Sequence, residues 1–203
     1  MFSGIIETTG TILQIDFVKS CKQFSISPMK AFNDLTIGDS IAVNGVCLTV
    51  TEFDATIFKV TAVPETLFLT NLDDLMVNHS VNLERSLKFG DRIGGHHVQG
   101  HIDGAGEILE LVSDNSNAYL VKLRIPEKLA KYVIAKGYIA LDGMSMTVIK
   151  ILPSGLTITL IPHTKKVTIA NQYQIGTKIN IEVDRMGKYI ENFIQKTITI
   201  GVH

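Results

Sequence analysis

Apolar and polar residues alternate in short runs along most of the chain. DSIAVNGVCLTV (39–50), IFKVTAV (57–63), HSVNLER (79–85), YLVKLRI (119–125) and LTITLIP (156–162) are rich in β-branched residues and bounded by Asn, Asp, Gly and Pro. That pattern predicts β-strands joined by tight turns. Strands this short and evenly spaced suit small closed or nearly closed antiparallel barrels, which leave no edge exposed. SPMKAFNDL (27–35) and PEKLAKYVIAKG (126–137) read as short helices. A different period appears near the C-terminus. KYIENFIQK places Tyr189, Ile190, Phe193 and Ile194 at helical spacing. An apolar helix face of that kind often marks an oligomer contact.

The alternation is written twice. IAVNGVCLTV (41–50) and IALDGMSMTV (139–148) align at an offset of 98 positions. The same offset brings Pro64 to Pro162, Thr66 to Thr164, Thr70 to Thr168, and VNLE (81–84) to INIE (179–182). Near the N-terminus an offset of 96 brings Gly4 to Gly100 and Gly10 to Gly106. The chain is therefore an internal duplication. KFGDRIGGHH (88–97) reads as the linker between the copies. The division expected is residues 1–97, residues 98–186, and a C-terminal helix and tail over 187–203.

Composition narrows the function classes. The 203 residues carry a net charge of −1, and 45% are hydrophobic. No basic block is present to hold a nucleic-acid backbone, and no apolar run reaches the ~20 residues of a membrane span. The opening MFSGIIETTG lacks a basic leader. Two cysteines, Cys21 and Cys47, make no disulfide framework, so reduced thiols and a cytoplasmic location are expected.

The candidate chemistry is sparse. His96, His97 and His101 lie in GGHHVQGHIDG (94–104), but its glycines disfavour a helix and no Cys or Glu stands at a zinc-site spacing. Gly104-Ala105-Gly106 lacks the third glycine of a dinucleotide loop. Two readings of the stretch stay open: an ordinary interdomain turn, or glycines that admit a flat ligand to the backbone. Cys47 lies in an apolar strand, where a small hydrophobe is the ordinary role. Ser145 and Thr147 share one strand face by the period of two. Asp184 is a lone acid at a strand end.

Five blocks in order, MFSGIIE (1–7), VNGVCLTV, IGGHHVQGHIDG (93–104), KGYIALDGMSMTV (136–148) and NIEVD (180–184), resemble the trimeric α-chain type of riboflavin synthase. The resemblance covers residues 1 to about 192. It implies two tandem six-stranded Greek-key barrels, a C-terminal helix that helps hold a homotrimer, and no metal or redox cofactor. It implies a transferase that converts two molecules of 6,7-dimethyl-8-ribityllumazine into riboflavin and 5-amino-6-(D-ribitylamino)uracil by moving a four-carbon unit. The reading kept beside it is a non-catalytic lumazine- or flavin-binding protein on the same fold. GMSMTV stands where the family usually has GISLTV, a volume-conserving change.

A dismutation needs two copies of one substrate in unequal roles, so equivalent segments should line two pockets. Gly4, Ile5 and Ile6 correspond to Gly100, His101 and Ile102, and Cys47, Leu48 and Thr49 to Ser145, Met146 and Thr147. Thr61, Ala62, Val63, Pro64, Glu65 and Thr66 correspond to Thr159, Leu160, Ile161, Pro162, His163 and Thr164. The resemblance adds Lys136 and Phe2 as contacts. It also implies an active site between the first barrel of one subunit and the second barrel of its neighbour, with Cys47 and the Phe2 end facing His101, Ser145, Thr147 and Asp184. The chemistry asks for proton removal from the 7-methyl group of one lumazine and addition at C7 of the other. His101 is the first choice for the proton because imidazole titrates near neutrality. Ser145 and Thr147 are candidates to relay protons or hold the ring, and Cys47 is a candidate nucleophile.

Overall fold

The computed structural model describes residues 1–113 and 117–200. The first copy holds strands β1 (Thr8–Val18), β2 (Cys21–Pro28), β3 (Ser40–Val43), β4 (Val46–Phe53), β5 (Phe58–Ala62) and β6 (Ser80–Arg85). They close into a barrel in the order β1-β2-β5-β4-β3-β6, with β6 paired back to β1. The second copy holds β7 (Gly104–Ser113), β8 (Tyr119–Arg124), β9 (Tyr138–Leu141), β10 (Met144–Thr147), β11 (Lys150–Leu152), β12 (Gly155–Leu160) and β13 (Lys178–Val183). Its sheet runs β10-β9-β13-β7-β8-β12-β11. β10 and β11 are consecutive stretches of the counterpart of β4, interrupted at Val148 and Ile149. β4 shifts register at the matching place, between Val50 and Glu52. The second unit is thus the same six-stranded barrel with one strand broken at a bend.

Each barrel has its own apolar core. Ile12, Phe24, Ile41, Phe58 and Leu83 lie in the first, and Ile108, Leu123, Ile139, Leu156 and Ile181 in the second. The hairpins at Asn44-Gly45 and Asp142-Gly143 have both central residues at positive φ, the geometry that matches strand twist in a two-residue loop. These two turns abut: a Cβ on Gly45 would lie 2.5 Å from Gly143 N.

Buried amides stitch the turns together. Asn180 Nδ2 donates to Asn44 O and Asn82 Nδ2 to Asp142 O, both at 2.9 Å. Asn71 Nδ2 and Tyr173 OH donate to the Asp142 carboxylate at 2.9 and 2.7 Å. Phe2 and Val98 exchange two main-chain bonds at 2.8 and 3.1 Å and fill the seam with Ala42 and Ala140.

Several sequence expectations need correction. Residues 29–35 form no helix. Its apolar residues are pinned singly rather than along one helical face: Phe32 lies under Arg85 and Leu35 is in the core. Only Glu127–Ala130 (α2) of the second expected helix is helical. The proline turns at 64 and 162 instead open helices, α1 (Pro64–Leu69) and α3 (Pro162–Val167), with Pro at the first helical position. The C-terminal helix α4 is longer than expected, Arg185–Ile200. The rest of the tail, residues 201–203, lies outside the described residues. No helix among the described residues is long and apolar enough to cross a membrane.

Candidate active site

Two equivalent hairpin strands, β4 and β10, carry the candidate reacting groups. Strand alternation sorts the residues. Leu48 and Ala62 point into the first core and Met146 and Leu160 into the second, so these four offer a ligand only their backbone. Phe2 is fully buried in the seam. Cys47, Thr49, Ser145 and Thr147 are left facing outward, half-buried or exposed. Thr61, Thr66, Thr159 and Thr164 are half-buried at the adjoining strand ends, and Val63, Pro64, Glu65, Ile161, Pro162 and His163 are exposed where α1 and α3 begin.

Each hairpin is bordered by the entry segment of the opposite copy. Ser145 N donates to Gly4 O at 2.8 Å, and Cys47 N donates to Gly100 O at 2.9 Å. Gly4 and Gly100 have φ of +75° and +81°, and a Cβ there would lie 2.6 Å from Ser145 Cβ and 2.5 Å from Cys47 Cβ. A Cβ on Gly95 would lie 2.7 Å from Ser145 Oγ. These glycines clear room for backbone against hairpin.

The exchange also regroups the expected residues. Ile5 and Ile6 flank Ser145, whereas His101 and Ile102 flank Cys47 within a single chain. His101 follows Gly100, whose carbonyl accepts Cys47 N within the same chain.

The three histidines part company. His97 lies 3.3 Å from the Met1 sulfur, and His101 is exposed. His96 is 8% exposed, with Nδ1 2.7 Å from Ser145 Oγ and its ring stacked on Tyr138, centroids 5.2 Å apart. Burial pushes the His96 imidazole below its usual range, and the negative charge of Asp184 pulls the other way. A hydroxyl within hydrogen-bond reach of a neutral imidazole is the arrangement of an activated nucleophile or proton relay. Asp184 itself accepts from Met186 N at 2.9 Å, which ties it to the start of α4.

Lys136 is exposed and held at φ +68°, where the first barrel has Gly38 at +95°. Its N–H donates to Val148 O at 2.8 Å, as Gly38 N donates to Val50 O at 2.9 Å. A lysine kept where the repeat uses glycine is a strained position of the kind found at functional sites.

Sequence reasoning passed over His96 as a partner for Ser145, over Tyr138, and over Glu84 and Glu182. The two glutamates were visible as the matching ends of VNLE and INIE. Nothing in the sequence links His96 to a serine 49 positions away.

A closed six-stranded barrel followed by a second sheet of the same strand order, with an equivalent hairpin on each copy, defines a tandem-barrel fold. The lumazine binding domain family matches residues 3–86 and 99–184. Riboflavin synthases are similar over nearly the whole length: that of Bacillus subtilis (strain 168) is 44% identical, covering 97% of this chain and 91% of the other. That of Actinobacillus pleuropneumoniae is 45% identical with the same coverage, and that of Schizosaccharomyces pombe 40%, covering 98% and 96%. Among solved structures, LumP complexed with riboflavin superposes with a TM-score of 0.82 at 22% identity, covering 91% of this chain and 100% of the other. The chain belongs to the riboflavin synthase family.

Proposed function

We propose that the protein catalyses riboflavin formation from two molecules of 6,7-dimethyl-8-ribityllumazine. The observation that carries the reading is a pair of equivalent hairpin sites with unequal reacting groups: Cys47, whose N–H donates to the carbonyl of Gly100 next to His101, and Ser145, whose Oγ lies 2.7 Å from His96 Nδ1. Equal folds give both lumazines the same cradle, and unequal side chains give them different parts. In the second site the neutral His96 imidazole draws the proton of Ser145, directly or through a water, and so supplies a nucleophile for addition at C7. In the first, His101 stands at the rim of the Cys47 hairpin, available to take a proton from the 7-methyl group of the other lumazine. Thr49, Thr147 and Lys136 offer polar contacts around the rings. Holding two rings in register removes several kcal/mol of barrier by proximity alone.

A catalytic centre needs both kinds of site together, and the exposed Tyr189, Ile190, Phe193 and Ile194 of α4 support assembly into a homotrimer that brings them face to face. The three units would be residues 1–97, 98–186 and 187–203. The LumP structures hold 6,7-dimethyl-8-(1'-D-ribityl) lumazine, riboflavin or flavin mononucleotide on the same fold. At 21–22% identity they share architecture only, so a carrier role finds less support here than catalysis. The test is to incubate the purified chain with the lumazine alone. Riboflavin should accumulate without additives. Binding with no riboflavin would assign the chain to the carriers instead.

A further inference from the structure

Glu84 in β6 and Glu182 in β13 occupy equivalent positions of the repeat and are 3% and 5% exposed. A buried carboxylate normally needs a cation. Neither has a salt-bridge partner among the described residues, and burial pushes both above the usual carboxylate range despite the N–H groups aimed at them. What each has is main chain. Glu84 accepts from Ser3 N at 2.7 Å, Ser3 Oγ at 2.9 Å and Gly4 N at 3.1 Å. Glu182 accepts from Gln99 N at 2.7 Å, Gly100 N at 2.8 Å and His101 N at 3.1 Å.

Two of those residues present their carbonyls to the opposite barrel: Gly4 O receives Ser145 N and Gly100 O receives Cys47 N, while Ser3 O receives His96 N of the linker at 3.1 Å. The chain of contacts therefore crosses over. A carboxylate in the first barrel holds the wall of the second barrel's site, and a carboxylate in the second holds the wall of the first. Only a carboxylate fits the task, because its two oxygens accept several N–H bonds and bring no donor of their own.

We propose that Glu84 and Glu182 are positioning residues that act crosswise, Glu84 setting the Ser145–His96 site and Glu182 setting the Cys47–His101 site. The inference rests on the proposed activity only for its consequence in turnover. The geometry can be tested without substrate.

With Cys21→Ser, Cys47 becomes the sole thiol. Its alkylation by iodoacetamide then reports the first site. Glu182→Gln, which sets an amide NH2 against inward-pointing N–H groups, should change the alkylation rate roughly threefold or more, because exposure and surroundings govern thiol reactivity. Glu84→Gln should leave it unchanged. The reciprocal reporter carries Cys21→Ser, Cys47→Ser and Ser145→Cys, and there Glu84→Gln should act while Glu182→Gln does not. Both glutamate variants should lower kcat in the parent background. If a Gln variant fails to fold by its near-ultraviolet circular dichroism, Glu→Asp, which keeps the charge but shortens its reach, carries the same comparison. A reporter that responds equally to both glutamates, only to the glutamate of its own barrel, or to neither, overturns the proposal. Absence of riboflavin synthesis alongside a crossed alkylation pattern would overturn the activity and leave the positioning intact.

Discussion

The single most informative side chain is His96. It is held by three separate constraints: its N–H on Ser3 O, its ring on Tyr138, and its Nδ1 at Ser145 Oγ. Its aim at the hydroxyl is therefore set by the fold, and burial favours its neutral form. His96→Ala and Ser145→Ala should each lower kcat by about 10²- to 10⁴-fold, the usual worth of a positioned acid–base group, with little change in KM. The double variant should be no slower than the worse single one, since the two act as a unit. Steady-state kinetics over the lumazine concentration checks this, and additive losses would separate the pair. The difference between Cys47 and Ser145 was legible in the sequence, because the duplication sets them opposite each other. The His96 pairing was not, since a loop residue finds its partner through the packing of a turn that periodicity does not describe.

At the scale of elements, strands were far more legible than short helices. Period two survives in β4, β5 and β10, where one face is buried and the other is wet, while β3, β6, β9 and β13 are short runs buried along most of their length. α1 and α3 are six residues each and carry no full helical period, only a proline that suits either a turn or a first helical position. α4 was legible because it is long enough for its apolar stripe to repeat. Its opening turns are anchored to the second barrel: Glu191 bonds Lys131 and Tyr132, and Lys188 pairs with Asp103. The stripe of Tyr189, Ile190, Phe193 and Ile194 stays exposed, between 53% and 66%. Removing the chain from Lys188 onward should therefore give smaller species on size exclusion with multi-angle scattering, and slower turnover. A truncated monomer of undiminished activity would contradict the assembly.

The whole molecule depends on its seam, where Asp142 is 1% exposed. Burial pushes its carboxyl up to about 7 against an ordinary 3.8, although Tyr173, Asn180 N and Asn71 all donate to it. Because the folded value is raised, the folded state keeps its full advantage below about pH 4, where both states hold the proton. As pH rises toward 7 the unfolded chain ionises first and stability falls, by roughly 4 kcal/mol at most. The first barrel uses the neutral Asn44 at the same place, so Asp142→Asn should fold. Denaturant midpoints for that variant should fall less than the parent's between pH 4 and pH 8, and parallel curves would contradict the burial argument.

Duplication, exchanged walls and unequal side chains all serve one claim, that the molecule brings two copies of one substrate together in different roles. The stoichiometry of the conversion bears on this most directly. With the lumazine as sole reactant, absorbance and chromatography should record one riboflavin and one 5-amino-6-(D-ribitylamino)uracil for every two lumazines consumed, with a rate that saturates in the lumazine. Lumazine bound but not consumed, or riboflavin appearing in any ratio other than one per two, would contradict it.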